Sequence, residues 1–140
     1  MRYRILVIEN ESSLSKELVS AFEEAGFSVV QVPDYPEALL RIEEFKPHII
    51  VMEAAPPGRD GFEDCSKLRS TFRIPVVLLG EDSSDDTWER VMQADADLYQ
   101  VKPFQHRPLV ARVKAILRRY IVATLRRGNG SRLGTKLSAN

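Results

Sequence analysis

Apolar residues along this chain follow two alternating patterns. Short, unbroken apolar runs rich in β-branched residues are typical of buried strands. Between these runs, apolar residues recur every three or four positions, which predicts amphipathic helices with one face toward a core. The predicted strands cover residues 3–8, 27–32, 49–52, 75–79 and 98–101. Five strand–helix units of this kind favour an α/β fold, with a doubly wound, five-stranded parallel sheet and helices on both faces.

Polar residues beside these runs predict where several helices begin and end. Ser12 and Ser13 are favourable N-cap residues for the first helix, and Gly26 offers its end. Asp34 is predicted to open the second helix, and residues 83–86 the fourth.

The fold class directs attention to one edge of the sheet. In open parallel sheets the functional crevice lies beyond the carboxyl ends of the strands. Polar residues follow four of the five predicted strands there: Glu9, Asn10, Glu11, Glu53, Gly80, Glu81 and Lys102.

The last helical pattern is longer than the cover of one sheet requires. It continues from about Gln105 to Arg127, roughly 22 residues or ~33 Å, before a Gly-Asn-Gly-Ser segment at residues 128–131. We therefore expect one domain over residues 1–120, followed by the extended end of the last helix and a flexible tail over residues 121–140.

Composition excludes several classes of protein. Hydrophobic residues make up 44% and charged residues 29% of the 140 positions, as in ordinary globular domains. No apolar run approaches the ~18 residues that a membrane span needs, and residues 1–4 lead directly into a strand rather than a secretory signal. The single cysteine, Cys65, excludes an internal disulfide and is predicted to be a small core residue. We expect a cytoplasmic protein with no membrane partner.

The net charge of zero hides a split along the chain. All 20 acidic residues lie between Glu9 and Asp97, whereas ten basic residues and no acid follow from Lys102 onward. The first 101 residues therefore carry a net charge of −10 and the rest +10. Such a split suits a basic helix that meets an acidic partner, a neighbouring domain or nucleic acid, and equally a solvated helix face.

Four segments in order carry a resemblance to a known family. They are ILVIENE at residues 5–11, HIIVMEAAPPGRDGFE at 48–63, IPVVLLGE at 74–81 and DLYQVKPF at 97–104. Together they resemble the receiver domain of two-component response regulators, the CheY-like domain, over residues 2 to about 120. The resemblance implies a flavodoxin-like strand order 2-1-3-4-5, an order for which a chemotaxis receiver is a standard example. It also implies a signalling module rather than an enzyme.

The family's chemistry depends on acidic residues at the strand ends. An acidic pair after the first strand and an aspartate after the third hold Mg²⁺, and that aspartate takes a phosphoryl group from a phosphohistidine. The resemblance places Glu9 and Asn10 at the acidic pair and Glu53 at the phosphoacceptor position. Asn10 lacks the charge of the expected ligand, and Glu53 carries one extra methylene.

A hydroxyl residue and a lysine bind the phosphoryl oxygens in the family. The resemblance places Gly80 at the hydroxyl position, Lys102 at the lysine and Tyr99 at an aromatic switch position. Because Gly80 has no side chain and the acidic set is incomplete, we expect no useful phosphorylation, no catalytic residue, no cofactor and at most weak Mg²⁺ binding. We expect Glu53 to pair with Lys102, either as a partial mimic of the phosphorylated state or as a plain ion pair.

The resemblance to the OmpR/PhoB-like branch implies a dimer face formed by the fourth helix, the fifth strand and the last helix. The segment RVKAILRR at residues 112–119 is similar to that branch, whereas Leu98 and Pro108 depart from it. Trp88 fits an interface anchor or a simple core or rim residue. The residues assigned to this face are Trp88, Asp97, Arg112 and Arg118. We expect protein partners: a second copy, an output domain or another signalling protein, with nucleic acid bound only through an output domain absent from this chain.

Two other functions remain open at this point. One is a phosphorylatable, Mg²⁺-dependent phosphorelay receiver. The other is a flavodoxin-like cofactor-binding enzyme, because a fold alone does not fix a function. The acidic loop at residues 9–11 argues against that enzyme, since its charge repels a flavin phosphate.

Overall fold

The computed structural model describes residues 2–129, in which five strands and five helices alternate. The five strands form one parallel sheet in the order β2-β1-β3-β4-β5, which confirms the predicted topology. The elements are β1 (Arg4–Ile8), α1 (Ser12–Glu24), β2 (Ser28–Val32), α2 (Tyr35–Phe45), β3 (Ile49–Glu53), α3 (Gly61–Phe72), β4 (Val76–Gly80), α4 (Asp85–Gln93), β5 (Leu98–Val101) and α5 (His106–Asn129).

Successive residues of each strand supply two separate core layers, because side chains alternate across a sheet. In β1, Leu6 and Ile8 pack with α2, α3 and α4, whereas Ile5 and Val7 pack with α1 and α5. Both faces are therefore covered, which explains why the strands are apolar without alternation. Cys65 is buried in the first layer as predicted, and burial raises the pKa of its thiol to about 12.

Helix ends follow the predicted capping residues with one exception. The Asp34 carboxylate accepts a hydrogen bond from the Glu37 amide at 2.9 Å, and the Ser84 hydroxyl accepts one from Thr87 at 3.3 Å. The prediction of Ser12 or Ser13 as N-cap of α1 is wrong. Glu11 is the N-cap because its carbonyl accepts the first helical hydrogen bond, from the amide of Ser15 at 3.0 Å.

α5 runs along one face of the sheet and continues beyond it. Its buried side chains include Leu109 and Leu117, whereas Val122 and Leu125 near its end are exposed. The described part of the helix runs to Asn129, two residues beyond the predicted Arg127. The predicted tail at residues 130–140 lies outside the described residues, and the division of the chain at residue 120 stays a prediction. Among the helices described, none is both long and apolar enough to cross a membrane.

Candidate functional site

The carboxyl ends of β1, β3 and β5 bring Glu9, Glu53 and Lys102 into one crevice. Glu53 ends the central strand, and Lys102 follows the edge strand β5. The Lys102 ammonium donates to Glu53 Oε1 at 2.6 Å, and only 21% and 15% of the two side chains are exposed. The pairing predicted from the sequence is confirmed, and it engages both the acceptor position and the lysine.

Glu9 lies beneath this ion pair and is 3% exposed. Its Oε2 accepts from the Glu11 amide at 3.1 Å, whereas Glu9 Oε1 and Glu53 Oε2 are buried with no hydrogen-bond donor among residues 2–129. Burial, followed by the interaction with the neighbouring Glu53 carboxyl, raises the pKa of Glu9 to about 7. Below about pH 7 Glu9 is therefore largely protonated, and its neutral carboxyl lies next to Glu53.

A cavity of about 310 Å³ opens outward from these carboxyls. Asn10 lies on its exposed rim, and Pro56 and Pro57 form part of its wall. The described residues contain no group of three or more acidic, histidine or cysteine side chains placed to hold a metal ion. A cation entering this cavity would meet the neutral amide of Asn10 and two carboxylates that are already paired, Glu53 with Lys102 and Asp64 with Arg59. The Asp34 carboxylate, which caps α2, also lines the cavity.

The side chain of Tyr99 fills the space beside Gly80. A Cβ atom added to Gly80 would lie 2.8 Å from Tyr99 Cε1 and 2.9 Å from Tyr99 Cζ, and closer still to the hydroxyl oxygen. Both distances are far inside van der Waals contact, so any other residue at position 80 requires the ring to move. The Tyr99 hydroxyl donates to the carbonyl of Asp82 at 2.6 Å, and the residue is 6% exposed. Tyr99 is therefore held inward, with the Trp88 ring packed edge-on against it at 5.0 Å between centroids.

Two arginine contacts around the crevice were not predicted from the sequence. Arg59 forms a two-pronged pair with the buried Asp64, at 2.8 and 2.9 Å, and its guanidinium lies 4.8 Å from the Tyr35 ring centroid. Arg90 of α4 donates to Asp60, the N-cap of α3, at 2.6 Å. The one available signal was Asp64 itself, an acid on the apolar face of α3 that needs a partner when buried.

The structure places only some of the residues predicted to form a dimer face on one surface. Trp88 packs on Tyr99 of β5, and the Arg112 guanidinium donates to Gln100 of the same strand. Arg118 instead lines a hollow on the opposite flank of α5, with Tyr3, Gly26 and Lys114 among its neighbours. Its assignment to that face is corrected, because the six positions between Arg112 and Arg118 turn the helix by ~600°, which is 240° beyond a full turn.

Asp97, also assigned to that face, is engaged inside the chain. Its Oδ2 accepts from the Val76 amide at 2.8 Å, and its Oδ1 accepts from the Tyr120 hydroxyl at 2.8 Å. Arg69 lies 3.5 Å from the same carboxylate, which is 14% exposed. Burial raises the pKa of Asp97 in spite of these contacts.

Comparisons with known proteins agree with this geometry. Residues 5–114 match the response regulator receiver domain family. The chain is 36% identical over 121 residues to the DNA-binding response regulator MtrA of Mycobacterium tuberculosis, covering 85% of this chain and 52% of that protein. It is 35% identical over 118 residues to the response regulator protein GraR of Staphylococcus epidermidis, covering 83% and 52%.

Solved structures give the same result. A two-component response regulator from Clostridium difficile superposes with a TM-score of 0.80 at 29% identity, covering 85% of this chain and 98% of that one. DrrB, an OmpR/PhoB homologue from Thermotoga maritima, superposes with a TM-score of 0.77 at 28% identity, covering 86% and 54%. The chain spans about half the length of the curated relatives it matches. With its sheet order, its crevice of Glu9, Glu53 and Lys102 and these matches, the chain belongs to the response regulator receiver domain family.

Proposed function

We propose that this receiver domain signals through protein contacts without being phosphorylated at Glu53. The observation that carries the proposal is the 2.6 Å ion pair between Glu53 and Lys102. The side chain at the acceptor position is already bound by the lysine that would otherwise stabilise an incoming phosphoryl group. Transfer would have to break a largely buried ion pair before any bond to phosphorus forms.

The reach of the acceptor side chain supports the same proposal. Glutamate places its carboxylate about 1.5 Å further from the backbone than aspartate does, and a misplacement of ~1 Å costs on the order of 100-fold in a positioned reaction. Here the extra length is used to reach the lysine. The remaining oxygen of Glu53 is buried against Glu9 rather than open to the cavity.

The position next to the crevice also departs from phosphate chemistry. Gly80 offers no hydroxyl to a phosphoryl oxygen, and the inward Tyr99 ring occupies the volume in which such a side chain would lie. The Tyr99 ring is therefore packed against Gly80 even though Glu53 carries no phosphoryl group. This favours a contact surface whose shape does not depend on phosphorylation.

We also propose that Mg²⁺ has no resident role here, although receiver domains of the family typically use it in their active form. The donors at the crevice carry too little free charge, because Asn10 is neutral and Glu53 is paired with an ammonium. Glu9, whose pKa is raised to about 7, carries only part of a negative charge at neutral pH.

The surface around β5 is the proposed site of contact with other proteins. Trp88 and Met92 of α4 are 41% and 80% exposed, next to Arg112 on α5 across β5. Exposed large apolar side chains with charged neighbours are typical of contact surfaces. We propose a second copy or an output domain as partner, with DNA bound only through such an output domain, as the name of MtrA indicates for that relative. On this account the domain works in the cytoplasm.

Assembly state tests the proposal directly. Light scattering after size exclusion, with and without phosphoramidate and Mg²⁺, is expected to give the same mass under both conditions. Trp88→Ala is expected to lower that mass if the chain assembles, and Glu53→Gln is expected to leave it unchanged. A mass that changes only when the phosphoryl donor is present would overturn the proposal in favour of a phosphorelay receiver. We set aside the cofactor-binding enzyme, because the family match covers residues 5–114 and the family is one of signalling modules.

A further inference from the structure

An exposed apolar strip on α2 is surrounded by acids. Leu40 is 72% exposed and Leu39 is 41% exposed, so two adjacent large apolar side chains of α2 face solvent. Glu37, Glu43 and Glu44 are also exposed and lie one turn before or after Leu40. We call these five residues the acidic strip.

A second exposed apolar strip, near the end of α5, is surrounded by arginines. Val122 and Leu125 are 47% and 61% exposed, three residues apart on one side of the helix. Arg118 and Arg119 are exposed one turn earlier, and no acid occurs anywhere after Asp97. We call these four residues the basic strip. The two strips match in chemistry, since the acidic strip presents two leucines with three exposed glutamates and one half-buried Arg41, and the basic strip presents two apolar side chains with two arginines.

A single chain cannot bring its own two strips together. α2 packs through Ala38 and Ile42 on the sheet face that carries Leu6, whereas α5 packs through Leu109 on the opposite face. The sheet therefore separates the strips, and each can meet its counterpart only in another molecule.

We propose that the basic strip of one copy docks on the acidic strip of a second copy. The contact buries Val122 and Leu125 against Leu39 and Leu40, and it places Arg118 and Arg119 beside glutamates of the partner. Because it joins two different surfaces, it is a head-to-tail contact that leaves one free strip at each end. It does not use Trp88, Met92 or β5, so it is separate from the surface proposed above.

The size of the contact sets its strength. Each strip spans about two helical turns. The area that such a contact buries is therefore expected to be well below the ~1,200 Å² at the lower end of standard stable interfaces. We therefore expect association at high concentration only. Since exposed charges carry part of the attraction, raising the salt concentration should weaken it.

Mixing two damaged variants tests the contact in the full chain. Both are made in a Met92→Glu background, which closes the α4 surface. Leu40→Arg disrupts the acidic strip and leaves the basic strip intact, whereas Leu125→Glu does the reverse. Sedimentation velocity is run on each variant, on the background protein and on an equimolar mixture, at low and high salt. Circular dichroism checks the fold of each variant. Both substitutions are expected to be tolerated, because both positions are exposed and helical.

The expected result is complementation. The background protein should self-associate as its concentration rises, and each variant alone should self-associate at least about tenfold more weakly. The mixture should form a species of two chains that dissociates at high salt. If the mixture stays monomeric, if either variant alone associates like the background protein, or if the background protein does not associate, the proposal is wrong. None of these results depends on phosphoryl chemistry, so the test is independent of the proposed function.

Discussion

At the scale of single residues, the main feature of the crevice is the buried Glu9 carboxyl, whose pKa is raised by burial and by the neighbouring Glu53. Glu9 and Glu53 each present one oxygen that has no donor among the described residues. Lys102 neutralises one of the two carboxylates. A carboxyl whose pKa is shifted this strongly makes the stability of the fold depend on pH. The pH dependence of the free energy of unfolding therefore measures the shift.

The free energy of unfolding should fall as the pH rises from about 4.5 to about 7 and should level off above that. The reason is that the unfolded chain releases the Glu9 proton near its ordinary pKa of 4.5, whereas the folded chain keeps it until about 7. The fall is expected to be about 1–3 kcal/mol. Urea unfolding of the parent and of Glu9→Gln at pH 5 and pH 8 checks this. Glu9→Gln should lose the slope, and the exposed Glu24→Gln should keep it; equal slopes in all three proteins would contradict the assignment.

The inward position of Tyr99 gives a second prediction at this scale. Gly80→Ala should destabilise the domain by about 1–3 kcal/mol, because the new methyl group overlaps the ring. Trp88 fluorescence should change as well, since its ring packs on Tyr99. In a Tyr99→Ala background the same substitution should cost far less, and this double-mutant cycle isolates the contact. Additive effects of the two substitutions would show that the ring does not occupy that space.

At the scale of elements, the sequence predicts the strands well and the polar contacts poorly. The strands are predictable because unbroken apolar runs such as β3 fit only the inside of a sheet covered on both faces. Asp34 and Ser84 are predictable as N-caps because their bonds are local. Contacts such as Arg59 with Asp64, or Tyr99 with Gly80, depend on side-chain rotamers and on which elements pack together. A local sequence pattern predicts neither the rotamers nor the packing.

Asp97, which directly precedes β5, contacts residues of α3, β4 and α5. Its removal is therefore expected to weaken the packing of all three elements. Asp97→Ala should cost about 2–4 kcal/mol of stability, because it leaves the Val76 amide and the Tyr120 hydroxyl without their acceptor and removes one of the two carboxylates beside Arg69. Arg112→Ala, at an exposed position of α5, should cost below about 0.5 kcal/mol. Thermal unfolding of the two variants compares them directly. A near-neutral Asp97→Ala that instead abolished self-association would return Asp97 to the dimer face.

At the scale of the whole molecule, the sheet order explains how a long lysine on an edge strand meets an acid on the central strand. The order β2-β1-β3-β4-β5 sets β5 two strands away from β3, with only Gly80 at the end of β4 between them. This arrangement was predictable from the fold together with the family resemblance. The geometry of the ion pair of Glu53 with Lys102 and the inward position of Tyr99 were less predictable, because both depend on how side chains pack around the crevice.

Intact-mass spectrometry after treatment with phosphoramidate and Mg²⁺ most directly tests the central claim that Glu53 is not phosphorylated. A receiver with aspartate at the acceptor position, treated in parallel, shows that the donor is active. The account predicts that the mass of this chain is unchanged under conditions in which the control gains about 80 Da. A stable adduct of that mass, located on Glu53 by fragmentation, would contradict it.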